Sequence, residues 1–139
     1  MNDRNQQQLS TEWIGSYDNM LEGGRDERSQ AEVVLEAFSF GPFRILPYAR
    51  LLECDGSPTP IGSRAFDLLC LLVSRPGEVV RKGELMAKAW PDVRVEESSL
   101  RFHMTMLRRA LGDGQGGGRY VINVPGRGYC FVARVGRAA

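Results

Sequence analysis

The stretch SSLRFHMTMLRRALG, residues 98–112, limits the possible folds more than any other part of the chain. Leu100, Met104, Leu107 and Leu111 recur at the helical interval and predict one buried stripe. At 100° per residue, Ser98, Phe102, Thr105, Met106 and Arg109 fall on the other side, with Arg101, His103 and Arg108 on the flanks. One side must close the core of a domain. The other, with its Phe and Met, must meet a second surface.

The segments around this helix predict a small α+β domain. LEAFSFGPFRILP offers two extended runs around Gly41-Pro42. RLLECDGSPTPIG offers another, turned by Asp55-Gly56, with a short run at 59–61, so the whole reads as an antiparallel meander. SRAFDLLCLLVSRPG (63–77) predicts a helix with Ser63 near its cap and Pro76-Gly77 as its stop. Its buried face takes Phe66, Leu69, Cys70, Leu72 and Val73. VVRKGELMAKAWP (79–91) holds a second helix that turns Leu85 and Ala89 inward, with Trp90 beside them, and stops at Pro91. GDGQGGGR (112–119) reads as a flexible connection. YVINVPGRGYCFVARV (120–135) reads as a hairpin around Pro125-Gly126-Arg127-Gly128. Strands, three helices and a hairpin, with a short loop before the third helix, make a helix-turn-helix with a wing. Such a helix fits a major groove, and a basic hairpin tip reaches the adjacent minor groove.

The net charge of +1 hides an asymmetry. Residues 1–37 hold three basic and eight acidic side chains, whereas the remainder holds 15 basic and nine acidic ones. A basic domain of this kind suits a polyanionic partner. The acidic leader, 1–36, contains STEWIGSYDNML (10–21), in which Trp13, Ile14, Tyr17, Met20 and Leu21 share one helical stripe. A helix over 11–21 is expected, capped by Ser10 or Thr11, stopped by Gly23 and followed by the linker EGGRDERSQ. Its apolar face either folds back on the domain or docks on another protein or a second protomer. Cys54, Cys70 and Cys130 form no CxxC pair, which fits a reducing compartment and argues against both a zinc site and a disulfide scaffold; Cys70 and Cys130 read as small core side chains. The longest apolar runs, such as LLCLLV (68–73), are too short to cross a bilayer, and the N-terminus lacks a secretory h-region. A cytoplasmic protein is expected.

From about Phe38 to Val135 the chain resembles the winged-helix DNA-binding domain of the OmpR/PhoB family, most of all its branch of CadC- and ToxR-like regulators. The matching pieces are FGPFRILPYARLLECDG, GSRAFDLLCLLVSRPGEVV, ELMAKAWPD, VEESSLRFHMTMLRRALGD and YVINVPGRGYCFVARV; LRRALGD followed by VPGRGYCF is the most specific combination. The resemblance implies a four-stranded N-terminal sheet, three helices and a C-terminal hairpin wing over 37–135, with 136–139 as a tail. It implies a transcription regulator that binds double-stranded DNA, with a recognition helix at about 97–111 in the major groove and a wing at 125–128.

Carried onto matching positions, the resemblance places Phe102 and Met106 against bases, where an apolar side chain meets a thymine methyl. The other reading packs them on the hairpin or on a second protomer. Phe102 stands where the family often has a small aliphatic residue, and Thr105 and Met106 stand where response regulators often have arginines. Arg101 and Arg108 are expected on guanine or phosphate, and Arg127 in a narrow minor groove. Arg81 and Lys82 begin the second helix where a phosphate would sit, with Arg81 at a position usually held by a Ser or Thr cap. Ser98 and Ser99 either donate to phosphate or cap the third helix, while His103, Arg109 and Arg119 complete the expected DNA set. WPDVRVEE matches the segment that touches RNA polymerase in some family members, with Asp92, Arg94, Glu96 and Glu97 as its polar residues. A homodimer on direct repeats is implied as well.

Catalytic patterns are missing. The glycine-rich GDGQGGGR lacks the GK[ST] of a P-loop and follows a helix, and no GxSxG or HExxH occurs. No enzyme activity, cofactor or metal is expected. Thirty-six residues are too few for a receiver domain, and no membrane span follows, so control is expected to fall on the acidic leader unless the chain is a piece of a longer regulator. The competing function class is a protein-interaction module built on the N-terminal helix and the Phe102/Met106 face.

Overall fold

The computed structural model describes residues 36–115 and 118–138. The expected leader helix and its stripe (Trp13, Ile14, Tyr17, Met20, Leu21) lie outside those residues. The described chain begins with β1 (Ala37–Phe40), β2 (Phe43–Leu46), a 3-10 turn (Pro47–Ala49), β3 (Leu51–Cys54) and β4 (Ser57–Pro58). Three helices follow: α1 (Ser63–Val73), α2 (Lys82–Ala89) and α3 (Glu97–Leu111). Between α1 and α2 runs a short strand, β5 (Val79–Arg81); β6 (Val121–Val124), β7 (Gly128–Phe131) and β8 (Gly136–Ala138) come last.

Two antiparallel sheets result. The first has the order β4-β3-β2-β1-β8 and the second β5-β7-β6. The expected N-terminal sheet therefore has five strands instead of four, and residues 136–138 are part of it instead of a tail. Ala37, Phe38 and Ser39 pair with Ala138, Arg137 and Gly136, because β1 would otherwise present an open edge. Arg137 fastens the added strand: its guanidinium lies 5.1 Å from the Phe38 ring centroid and 3.4 Å from the Glu36 carboxylate. The fourth strand lies at 57–58, not 59–61. Asp55 (φ 52°) and Gly56 (φ 84°) both take left-handed conformations, so the chain reverses in two residues and pairs at once, Cys54 with Ser57.

The core is the packed underside of the helices against both sheets. Phe66, Leu69, Leu72 and Val73 of α1 are buried as their spacing predicts, and Ala65 and Leu68 join them. Leu85 and Ala89 of α2, Trp90, and Leu100, Met104, Leu107 and Leu111 of α3 complete it with Phe131 and Val121 from the wing. Ser63 does not cap α1: Gly62 is the cap residue, and the Ser63 hydroxyl accepts from Arg50 at 3.1 Å.

Cys130 is buried, as expected of a core thiol, whereas Cys70 is half-buried beside the cluster. Burial nevertheless pushes the Cys70 thiol up to about 11. Its raised folded value means that the unfolded chain loses this proton first. Stability is therefore expected to fall as pH rises from 9.0 towards about 11. Urea melts across that window, compared with Cys70→Ala, check the sign.

Candidate nucleic-acid interface

The helix pair α2–α3 and the wing hold most of the residues expected at DNA. A loop of seven residues, Trp90–Glu96, separates the helices. Glu96 is the cap residue of α3 without a side-chain cap bond, so Ser98 and Ser99 stand in the first turn and do not cap it. Gly112, at φ 65°, ends the helix in the left-handed conformation.

The two faces of α3 separate as the spacing predicts. The Leu100–Leu111 stripe is buried. On the opposite side Phe102 is 60% and Met106 40% exposed, so neither packs away against the hairpin. Ser98, Arg101, Thr105 and Arg109 are exposed beside them. The Thr105 hydroxyl donates to the Arg101 carbonyl at 3.1 Å.

His103 is fixed by its neighbours. Its Nδ1 lies 2.8 Å from the Ser99 carbonyl oxygen, an acceptor, so that nitrogen carries the proton and Nε2 is left for an outside partner. The ring stands edge-on to Trp90 and to Phe102, each with centroids 5.1 Å apart. This stack orients Phe102 from its own helix.

The expected cations fall into two groups. Arg81, Arg109, Arg119 and Arg127 are exposed and have no carboxylate within 4.0 Å among the described residues. Arg81 and Arg127 line one shallow cavity with Val79 and Gly126, because β5 lies against β7 and brings the start of α2 to the base of the wing turn. Lys82, Arg101 and Arg108 are engaged. Lys82 and Arg101 share the Glu97 carboxylate, at 2.7 and 3.5 Å. Arg108 donates to the Val121 carbonyl at 3.3 Å, lies 3.6 Å from Asp113 and covers the Tyr129 ring at 5.8 Å. It ties α3 to the wing, a structural task beyond the expected contact.

The start of α2 is better held than its Arg81 cap suggests. A guanidinium accepts no hydrogen bond, so Arg81 cannot cap with its side chain. Glu84 instead accepts from the Arg81 backbone N–H at 3.3 Å and pairs with Arg75 at 2.8 Å. The Arg75 hydrogen bond first, and the Arg81 backbone bond second, hold the Glu84 carboxyl below its ordinary range. Lys82 does the same to Glu97.

The loop before α3 presents Asp92, Arg94 and Glu96, all exposed, around Val93, which is 59% exposed. None of the three charged residues is in an ion pair among the described residues. Glu97, grouped with them by sequence, turns instead to Lys82 and Arg101.

Asp113 is a residue whose role sequence reasoning missed. It lies in the segment read as a flexible connection, yet its side chain is 5% exposed. Its two oxygens accept from the Tyr120 and Val121 N–H groups at 3.0 and 3.2 Å and set where β6 begins. Its signals were its place one residue past a helix-ending glycine and at the end of LRRALGD. No group of His, Cys, Asp and Glu able to hold a metal ion occurs among the described residues, and no helix there is long and apolar enough to cross a membrane.

The family described as "Transcriptional regulatory protein, C terminal" matches residues 56–131. The cholera toxin transcriptional activator of Vibrio cholerae is 34% identical over 107 residues, which cover 74% of this chain and 35% of that protein. The chain thus spans about a third of the length of that relative. Among solved structures, the DNA-binding domain of E. coli CadC superimposes with a TM-score of 0.64 at 24% identity, covering 71% of this chain and 94% of that one. The DNA-binding domain of CpxR from E. coli superimposes with a TM-score of 0.62 at 25% identity, covering 69% and 95%.

Proposed function

This chain belongs to the OmpR/PhoB-type family of C-terminal domains of transcriptional regulatory proteins, and from that premise we propose that it binds double-stranded DNA at chosen sequences to regulate transcription. In this reading α3 lies in the major groove with Phe102 and Met106 at base edges, and Arg127 enters the minor groove beside it. The observation that carries the reading is the outer face of α3. Two large apolar side chains are exposed there, beside Arg101 and Arg109, on a helix whose other face is fully buried. An apolar pair of this kind reads thymine methyls, and the surrounding cations meet phosphate.

The test is selection of bound duplexes from a random pool, repeated with Phe102→Ala and Met106→Ala. The wild type should enrich one motif, and each variant should relax it at a thymine-containing position. Weak, salt-sensitive binding with no enriched motif would overturn the reading and leave the face to a protein partner. Arg127→Ala should weaken binding to the selected duplex by roughly 1–3 kcal/mol and relax any A·T preference beside the core motif.

Two finer parts belong to the same proposal. Two copies side by side on direct repeats would show as a motif that contains its element twice. The loop around Val93 is assigned to RNA polymerase, supported by its exposed apolar tip and by charged residues that hold no intramolecular ion pair among the described residues.

A further inference from the structure

An exposed Phe on a helix turns among staggered rotamers unless something stands against it. Phe102 is 60% exposed, and among the described residues His103 supplies its only aromatic contact, edge-on at 83° with the centroids 5.1 Å apart. The His103 ring is itself held on two further sides. Its Nδ1–H donates to the Ser99 carbonyl at 2.8 Å, and its edge meets the Trp90 ring at 5.1 Å and 78°. Trp90 is fixed in turn: it is buried, and the Arg64 guanidinium lies 5.6 Å from its ring centroid. A run of contacts thus leads from α1 through the end of α2 to one exposed side chain on the outer face of α3.

On the DNA-binding reading above, we propose that His103 is a positioning residue that sets the specificity of Phe102. Its ring holds the Phe102 ring, before DNA arrives, in the orientation that meets a base. A loose side chain makes that contact only in the fraction of its orientations that point the right way, and ordering it costs entropy on binding. The stack raises the fraction while the protein is free and stays intact when α3 is seated, so no contact is broken on binding. In a loose complex with random DNA, Phe102 meets no base and its orientation adds nothing. His103 therefore strengthens the seated complex at one position and sharpens the preference there.

The experiment measures affinity for the selected duplex and for one altered only at the thymine position that Phe102→Ala relaxes. Their ratio is the readout, because a phosphate contact made by His103 itself lowers both affinities alike and cancels. His103→Ala should lower the ratio roughly two- to fivefold, the scale of ordering one exposed side chain. His103→Asn keeps a donor for the Ser99 carbonyl without the ring and should lower it as far. His103→Phe keeps a ring between Trp90 and Phe102 and should restore most of it. The position that Met106→Ala relaxes should stay as selective as in wild type in all three variants. A ratio unmoved by His103→Ala and His103→Asn, no recovery in His103→Phe, or an equal loss at the Met106 position overturns this inference alone. A wild-type protein that enriches no motif, or a motif that Phe102→Ala leaves unchanged, removes the reading of Phe102 at bases and this inference with it.

Discussion

Gly128→Ala is expected to cost the domain roughly 3 kcal/mol and to part the wing from the start of α2. A Cβ at position 128 would stand 2.0 Å from the Val80 carbonyl oxygen, 2.9 Å from its carbon and 3.0 Å from the Arg81 Cα. These are backbone atoms of β5, so no rotamer relieves the clash and the strands themselves must move. Gly126, in the turn, is there for its φ of 74°; Gly128 has no positive φ and is there for close approach alone. Separation breaks the pairing of Val79, Val80 and Arg81 with Cys130, Tyr129 and Gly128, and it uncovers the buried Val80 and Tyr129. It also moves Arg127 and Arg81, which line one cavity only because β5 holds β7. A thermal melt should fall by roughly 10–20 °C, the shift expected of such a loss in a domain of this size. Affinity for the selected duplex should fall at least as far as with Arg127→Ala. A melt within about 2 °C of wild type would refute so tight an approach.

Leu107→Ala should cost roughly 2–5 kcal/mol, whereas Met106→Ala, one residue away, should stay within about 0.5 kcal/mol of wild type. Leu107 is completely buried beneath α3 and its truncation leaves a cavity; Met106 is 40% exposed on the outer face. Binding should show the reverse order. Folded Leu107→Ala keeps the selected motif, and Met106→Ala loses preference at one base position while its stability stands. Urea unfolding paired with DNA titration of the two variants reads both effects. Equal losses of stability would mean that α3 buries both faces.

What the sequence carried was local. The i, i+3, i+4, i+7 spacing in 100–111 predicts the buried stripe, and the Phe102 and Met106 offset predicts the second face; the structure places each residue on the side expected. Pro76-Gly77, Pro91 and Gly112 divide the helices because each stops a helix by its own backbone chemistry. Arg127 between two glycines announces an exposed turn in the same way.

The rest was decided by partners distant in the chain. Val79–Arg81 is too short a run to read as a strand and becomes one only because β7 lies beside it. Residues 136–138 read as a tail, and only the open edge of β1, about a hundred residues earlier, makes them a fifth strand. Asp113 shows no periodicity and gains its role from the N–H groups of Tyr120 and Val121. Glu97 was grouped with the acidic loop by its neighbours in sequence; folding turned it to Lys82, fifteen residues back. Helix spacing, turns and caps depend on bonds within a few residues, so the sequence by itself determined the three helices and the two faces of α3. Strand pairing and ion pairing depend on which elements meet, and only the tertiary structure decided which cations of that face are held and which are offered.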